Sequence, residues 1–204
     1  MIFKDKSFIL RHFTASDAQG YFECQNDPEA RRGFMTTPKT LAEAKKEVGK
    51  IVREYKKKKP SNEHLAIEIE GKFVGYISID MENSVDYVTI LSNSPDRELE
   101  TEYRLITLIL CNLNQKFFEH RAGIGFCMHP LYRRRGITTK AVILVTKYAF
   151  KKYSLKRITG WCRTFNKASA RVLEKAGYRL EGILRKNKFK NRRYLDDMVW
   201  AQIK

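Results

Sequence analysis

The stretch that decides the fold runs from residue 126 to residue 139 and reads Phe126-Cys127-Met128-His129-Pro130-Leu131-Tyr132-Arg133-Arg134-Arg135-Gly136-Ile137-Thr138-Thr139. A short apolar run ends at His129-Pro130, a basic turn follows, and apolar residues recur at helical spacing after Gly136. The first backbone N–H groups of a helix have no partner within it, and the helix dipole favours negative charge there. Because Gly136 has no Cβ, the backbone can approach an anion closely. This order of strand, basic turn and helix predicts a phosphate or pyrophosphate site.

The side chains around this turn suit the same ligand. Thr138 and Thr139 can donate hydroxyl hydrogen bonds. Arg133, Arg134 and Arg135 supply positive charge and paired donors for phosphate oxygens. The sequence contains neither the GxxxxGK[ST] pattern of a P-loop nor the GxGxxG pattern of a dinucleotide site, which excludes both classes. The alternative that a basic loop merely caps a helix stays open at this point.

Strand and helix patterns alternate on both sides of this stretch. Thr40 and Glu43 have the spacing of a helix-capping box, and Glu70-Gly71-Lys72 separates two alternating strands as a tight hairpin does. The predicted elements, in chain order, are a strand at 7–13, a helix from 14 or 16 toward 26, a helix at 41–55, strands at 65–70 and 73–80, a strand at 85–91, a helix at 98–118, a strand at 122–128, a helix at 136–153, a strand at 158–162, a helix at 166–176, and strands at 178–184 and 194–203. This order predicts an α/β fold with a mixed sheet.

The composition is that of one globular domain over residues 1–204, with 43% hydrophobic residues. No stretch approaches the roughly 20 apolar residues of a membrane span, and the first residues lack a secretory pattern, so we expect a cytoplasmic protein with no membrane partner. The four cysteines, Cys24, Cys111, Cys127 and Cys162, are far apart and form no CxxC pair. They are expected to be reduced thiols, with no metal site.

The chain is strongly basic, with 40 Lys and Arg residues against 23 Asp and Glu and a formal net charge of +17. Such an excess attracts nucleic acid, ribosomes or other polyanions. Charge runs such as Lys56 to Lys59 more often solvate a helix end than bind a partner. Both interpretations stay open.

The segment Arg133-Arg134-Arg135-Gly136-Ile137-Thr138 resembles the [Arg/Gln]-x-x-Gly-x-[Gly/Ala] acetyl-CoA signature of the GNAT superfamily, with Thr138 in place of the small last residue. Further segments resemble the branch that contains the ribosomal-protein N-terminal acetyltransferases RimJ and RimL. They are Leu10-Arg11, Asp17-Ala18, Asn26-Asp27-Pro28-Glu29, Asn166 with Ser169, Leu173-Glu174-Lys175-Ala176-Gly177-Tyr178, Leu180-Glu181-Gly182 and Tyr194-Leu195-Asp196. The resemblance implies a GNAT fold, a mixed, mostly antiparallel sheet flanked by helices, with an insertion at about 81–120.

The resemblance also implies how a cofactor would be held. The strand with Phe126, Cys127 and Met128 should diverge from its neighbour, and its backbone should bind the pantetheine arm of acetyl-CoA. One of its N–H groups would polarise the thioester carbonyl. The phosphates would lie on the turn and helix start, which includes Ile137. The same side chains can serve as core residues.

The helix after Asn166 is implied to complete the site. Asn166 and Ser169 share a helix face, where Asn166 would contact pantetheine. Many family members carry a tyrosine at the position of Leu173 that protonates the departing thiolate. Ser169 is the substitute proton donor here, although a serine early in a helix often serves only local hydrogen bonding. Arg171 either contacts the CoA phosphates or faces solvent.

The general base is unassigned, because relatives often have Glu where this chain has Gly123. Its candidates, by placement only, are Glu68, Asp80, Asp196 and Asp197. A covalent acyl-Cys127 intermediate is an alternative to direct transfer.

The sequence leaves three functions open. The first is acetylation of a protein N-terminal amine, and the second is acetylation of a small amine such as a polyamine, an amino sugar or an antibiotic. The third is a non-catalytic basic protein that docks on RNA or ribosomes. The apolar part of the insertion, 104–118, would pack on the sheet, wall the substrate groove or form a homodimer contact.

Overall fold

The computed structural model describes residues 2–58, 60–81 and 120–204. The strand and helix predicted at 85–91 and 98–118 lie outside these residues. The described strands are β1 Phe3–Lys4, β2 Ile9–His12, β3 Asn62–Ile69, β4 Lys72–Met81, β5 Arg121–Met128, β6 Arg157–Arg163, β7 Arg179–Lys190 and β8 Arg193–Ile203. The described helices are α1 Ala18–Asn26, α2 Pro28–Gly33, α3 Leu41–Glu54, α4 Ile137–Lys152 and α5 Lys167–Lys175, with short 3-10 turns at Ala15–Asp17 and Pro130–Tyr132.

The strands form one sheet of eight strands in the order β1-β2-β3-β4-β5-β6-β8-β7. Neighbouring strands are antiparallel except β5 and β6, which are parallel. A parallel pair needs a crossover connection, and α4 supplies it. The prediction of a mixed, mostly antiparallel sheet flanked by helices is confirmed.

The parallel pair separates along its length. Paired residues run from Arg121 with Arg157 to Ile124 with Gly160, where the β5–β6 ladder ends. Beyond that point β5 continues to Met128 beside β4, while β6 continues beside β8. The sheet therefore opens into a gap between the carboxyl ends of β5 and β6, in front of the basic turn.

Helices cover both faces of the sheet. One core lies under α4 and α5 and includes Ile77, Ile124 and Leu173. The other lies under α1 and α3 and includes Tyr76 and Cys127. Because side chains alternate along a strand, the even-numbered residues of β4 from Tyr76 onward and the odd-numbered residues of β5 face α1 and α3.

Local sequence signals explain most element boundaries. Thr40 caps α3 by accepting a 3.2 Å hydrogen bond from the backbone of Glu43, whose carboxylate in turn accepts one from the backbone of Lys39. The turn between β3 and β4 has positive φ at Glu70 and Gly71, as a two-residue hairpin turn requires. Both signals were readable in sequence, and both predicted elements are confirmed.

Three features differ from the sequence-based expectation. The short elements β1 and α2 have no clear periodicity and were not predicted. The last hairpin is longer than 178–184 and 194–203, because β7 extends through the polar segment Arg185–Lys190. That segment has no apolar alternation, so only its pairing with β8 holds it extended.

Among the helices that the structure describes, none is long and apolar enough to cross a membrane.

Candidate active site

The turn before α4 presents an open helix start. Gly136 is the N-cap residue at φ 74°, and no side chain caps the helix. The first helical hydrogen bond runs from the backbone of Lys140 to the carbonyl of Gly136. The N–H groups of Ile137, Thr138 and Thr139 therefore have no acceptor inside the helix. These groups and the helix dipole favour an anion, and the phosphate site expected from the sequence stays a prediction.

Two of the three arginines in this turn are exposed at its surface. Arg134 has φ 62°, and Arg135 donates a 3.0 Å hydrogen bond to the carbonyl of Leu131 with its guanidinium 5.2 Å from the ring centre of Tyr132. Exposed guanidinium groups beside a helix start add positive charge where an anion would lie. Their assignment to a phosphate stays a prediction.

Arg133 is used differently from the sequence-based expectation. Its guanidinium donates to the carboxylates of Asp27 at 2.7 Å and Glu29 at 2.9 Å, and to the carbonyl of Met128 at 3.1 Å. Burial alone would raise the pKa of Asp27, but hydrogen bonds from Arg133 and from the backbone of Ala30 hold that pKa below its ordinary value. Arg133 therefore joins the end of β5 to the start of α2, and a phosphate would have to compete with two carboxylates for it.

The edge of β5 that borders the gap exposes backbone groups. The N–H of His129 donates to Val74 of β4, and the carbonyl of Cys127 is packed against Gly75 of β4, where an added Cβ would approach it to 2.5 Å. Successive residues of a strand direct their backbone N–H and C=O groups to opposite sides of the strand. Phe126 and Met128 therefore direct these groups toward the gap. The structure thus corrects the expectation for Cys127, whose backbone groups point toward β4.

The Cys127 side chain is also turned away from the gap. It is buried under α1 and donates a 3.3 Å hydrogen bond to the carbonyl of Cys24. A hydrogen bond between the two cysteine side chains, together with burial, raises the pKa of the Cys24 thiol. A buried thiol that faces helix α1 has no access to a thioester in the gap, which argues against the acyl-cysteine alternative.

Helix α5 follows β6, the strand on the other side of the gap. The Asn166 side chain caps α5 by accepting a 3.1 Å hydrogen bond from the backbone of Ser169. Ser169 is half-buried and Arg171 is exposed. Asn166 and Ser169 therefore do lie together, but their recorded contact is a helix cap, and the cofactor roles of Asn166, Ser169 and Arg171 stay predictions.

Leu173 forms an apolar floor where the two strands separate. It is 1% exposed, and a Cβ added at Gly160 would approach its Cδ2 to 2.6 Å and the side chain of Ile124 to 3.4 Å. Gly160 and Ile124 are the last pair of the β5–β6 ladder. An aliphatic residue here has no proton to donate, so a thiolate leaving this region needs another donor.

A pocket of about 260 Å³ borders the gap on the α2 side of the sheet. It is lined by Gly33, Trp161, Cys162, Arg163, Asn187, Lys188 and Asp197. Trp161 is 47% exposed at this pocket. Burial raises the pKa of the Cys162 thiol to about 11, so this cysteine is neutral at physiological pH.

A buried ion pair forms the wall of this pocket. Arg163 donates to Asp197 and to the carbonyl of Gly33, and Asn187 donates a 2.8 Å hydrogen bond to the second oxygen of Asp197. Nothing in the local sequence singled out Trp161, Arg163 or Asn187, because each occupies an ordinary strand position. Their grouping arises from the pairing of β6, β8 and β7.

The candidate bases differ in their hydrogen-bond partners. Glu68 accepts a 2.5 Å hydrogen bond from Arg11, Asp196 accepts one of 2.7 Å from the backbone of Lys186, and Asp197 is paired with Arg163. Asp80 accepts a 3.2 Å hydrogen bond from Ser78 and is exposed on the face that bears α1 and α3. It is also directly opposite Gly123 in the β4–β5 ladder.

The fold and this gap place the chain among known proteins. The chain belongs to the acetyltransferase (GNAT) domain family, whose model matches residues 7–179. It is 44% identical over 80 residues to the probable N-acetyltransferase YjcK of Bacillus subtilis strain 168, a match that covers 39% of this chain and 44% of that protein. The matched part spans about half the length of the curated relatives it aligns with.

Solved structures share the fold over nearly the whole chain. A GNAT-family acetyltransferase from Bacillus anthracis superimposes with a TM-score of 0.71 at 21% identity, covering 100% of this chain and 98% of that one. The ribosomal-protein-S5-alanine acetyltransferase from Vibrio fischeri gives a TM-score of 0.72 at 19% identity, covering 98% and 95%. At these identities the likeness establishes the fold.

Proposed function

We propose that this protein is an acetyl-CoA-dependent N-acetyltransferase that transfers an acetyl group to a primary amine by direct attack on the thioester. The observation that carries the proposal is the continuity of the β5–β6 gap with the open start of α4. An extended pantetheine arm can occupy the gap as an added strand, and its phosphates then reach the helix start. Family membership supports the same chemistry, since relatives with this fold include one determined with coenzyme A and one with acetyl-CoA.

The backbone of β5 has two tasks in this proposal. The gap-facing groups of Phe126 and Met128 bind the amides of the arm, and one of their N–H groups polarises the thioester carbonyl. The carbonyl of Met128 is held by Arg133, which fixes the end of this strand against α2. Arg133 is therefore a positioning residue, whereas Arg134, Arg135 and the α4 start bind the phosphates.

Asp80 is the carboxylate that we propose as the base. The attacking ammonium must lose a proton, and a carboxylate can take it directly or through one water. Relatives that carry a glutamate at the position of Gly123 would place its side chain on the same sheet face as Asp80. Asp80 on the adjacent strand can thus supply the function that Gly123 lacks. Ser169 is the proposed donor of a proton to the departing thiolate.

The acceptor is proposed to be a protein N-terminal amine that enters from the α2 side. The pocket beside the gap is open to the surface and has a half-exposed Trp161, which suits the first residues of an extended peptide. Arg163 in its lining is neutralised by Asp197, and the remaining positive charge of Lys188 disfavours a polycationic amine. Ribosomal-protein N-terminal acetylation, named for structures such as RimL, is the first acceptor class to test.

The test begins with calorimetric titration of acetyl-CoA into wild-type protein and the Gly136→Ala variant. Gly71→Ala is a matched control, since both glycines have φ 74° and open space around an added Cβ. Both variants carry the same backbone strain, so equal losses of stability are expected. Only Gly136→Ala should lose affinity for acetyl-CoA, because its methyl group intrudes on the phosphate position.

Activity is then measured as CoA thiol release with N-terminal peptides of ribosomal proteins and with a panel of small amines. Thiol release with the peptides alone supports a protein acceptor. Thiol release with the small amines alone would instead support acetylation of a small amine. Acetyl-CoA binding that is absent in the wild type overturns the proposal as a whole.

A further inference from the structure

The β7–β8 hairpin carries a concentration of positive charge, most of which the proposed acetyl transfer does not use. Six of the nine residues from Arg185 to Arg193 are Lys or Arg, and none is Asp or Glu. Four of these cations, Arg185, Lys186, Arg192 and Arg193, are exposed. The segment lies beyond residue 179, where the family match ends.

The backbone holds this charge in a defined shape. Asn191 and Arg192 form a two-residue turn with φ of 50° and 59°, and Lys190 pairs with Arg193 across it. Lys190 donates hydrogen bonds to the carbonyls of Arg31 and Phe34, which ties the hairpin to the end of α2. Lys190 is therefore structural, and the remaining cations project from an anchored hairpin.

Two exposed aromatic rings lie among these cations. Phe189 is 58% exposed and Tyr194 is 62% exposed, although both are large and apolar enough to favour burial. They are cross-strand partners, with ring centres 5.0 Å apart. The ammonium of Lys186 is 5.8 Å from the ring centre of Tyr194. Exposed rings beside cations can stack with bases while the cations contact phosphates.

The rings and the acceptor pocket are on opposite faces of the hairpin. Lys188 and Asn187 line the pocket, and Asp197 faces it from β8. Residues of β8 alternate between faces, so Tyr194 lies on the side away from Asp197, together with its partner Phe189. A ligand on the rings therefore leaves the pocket open.

We propose that the hairpin segment 185–194 binds single-stranded RNA, with bases on Phe189 and Tyr194 and phosphates on Arg185, Lys186 and Arg192. Charge complementarity favours a polyanion, and the exposed ring pair favours one that has flat bases. Pairing of two copies through the edge strand β7 is disfavoured, because it would bring like charges together. The proposal does not depend on acetyl transfer.

The experiment is fluorescence anisotropy of a labelled single-stranded oligouridine with the full chain over a salt series. One variant combines Lys186→Asn with Arg192→Gly, because both positions have positive φ, which Asn and Gly tolerate. Loss of two phosphate contacts should lower the salt slope by about 1.4 and affinity at low salt by about tenfold. The control combines Lys45→Gln with Lys46→Gln on the exposed face of α3, which removes the same net charge.

A second variant combines Phe189→Leu with Tyr194→Leu, which keeps an apolar cross-strand pair without rings. It should weaken oligouridine binding at least about fivefold and leave binding of heparin, a polyanion without bases, unchanged. Equal losses of oligouridine affinity in the first variant and in the α3 control overturn the site. Unchanged oligouridine binding in the leucine variant overturns the stacking role. If sedimentation shows a dimer for the wild type and a monomer for the leucine variant, the rings serve self-association instead.

Acetyl-CoA titration of the same variants separates this proposal from the enzymatic one. The hairpin variants should keep wild-type affinity for acetyl-CoA. If the protein binds RNA but not acetyl-CoA, only the RNA-binding proposal is supported. If it binds acetyl-CoA but not RNA, only the proposed acetyltransferase is supported.

Discussion

Asp80 of β4 and Gly123 of β5 are directly paired, and a Cβ built on Gly123 would lie 3.8 Å from the Cβ of Asp80. Such a distance is ordinary van der Waals contact. The sheet therefore has room for a side chain at 123, and it already holds a carboxylate next to that position. A carboxylate can be moved between the two strands without a large change in its location.

Replacing Asp80 by Asn tests this relationship. Asn keeps an acceptor for Ser78 but cannot accept a proton, so we expect kcat to fall by about 100-fold or more. The affinity for acetyl-CoA should be unchanged. Steady-state kinetics with the identified acceptor and calorimetric titration measure the two quantities separately.

Adding Gly123→Glu to Asp80→Asn supplies a carboxylate from the neighbouring strand. Partial recovery of kcat is expected, because a Cβ at residue 123 makes only ordinary van der Waals contacts with Asp80 and Thr159. Full activity of Asp80→Asn alone would show that Asp80 is not the base.

Replacing Ser169 by Ala tests the proposed proton donor. The α5 cap uses the backbone N–H of residue 169, so the cap persists in the variant. We expect kcat to fall about tenfold or more with acceptor KM nearly unchanged. Asn166→Ala is the contrasting variant, since it removes the cap and should cost about 1 kcal/mol of stability. A Ser169→Ala enzyme with wild-type kcat would leave Ser169 a helix residue with no part in proton transfer.

Replacing Asp197 by Ala leaves the buried Arg163 without its carboxylate. Because a buried charge without a partner is costly, the free energy of unfolding should fall by about 3–5 kcal/mol. Urea unfolding followed by circular dichroism measures the change. The neighbouring Asp196→Ala variant removes one hydrogen bond to the backbone of Lys186 and should cost about 1 kcal/mol. Similar losses in the two variants would contradict the structural role of the ion pair.

Glu63 should make stability depend on pH. Its buried carboxylate accepts hydrogen bonds from Tyr148, Lys152 and Tyr153. Burial raises its pKa, but the hydrogen bonds from Tyr153 and Lys152 outweigh burial and hold the pKa below the ordinary value of 4.5. A lowered folded-state pKa contributes stability above the unfolded-state pKa, and that stability is lost as pH falls through the folded-state value.

The measurement is the free energy of unfolding from pH 7 to pH 3 for wild type and Glu63→Gln. The wild type should lose stability below about pH 4.5 more steeply than the variant, since Gln does not titrate. Glu174→Gln on the exposed face of α5 should follow the wild-type curve. Parallel curves for wild type and Glu63→Gln would exclude Glu63 as the source.

Local chemistry determined what the sequence predicted correctly. Gly136 before an apolar helix, the cap at Thr40 and the turn at Glu70-Gly71 act through backbone atoms only a few residues away. Such signals are readable without knowledge of the fold. They were sufficient for the helix start at Gly136, the order of most elements and the mixed sheet.

Tertiary structure alone decided which groups meet. Arg133 is paired with Asp27 although 106 residues separate them, and Arg163 reaches Asp197 across 34 residues. The direction of Cys127 and the pairing of Asp80 with Gly123 follow from strand register. A shift of one residue would turn Cys127 to the other face of the sheet and give Asp80 a different partner. Sequence by itself therefore determined the class of fold and the open helix start at Gly136, whereas the proposed base, the pocket wall and the partners of each arginine depend on contacts between distant strands and helices.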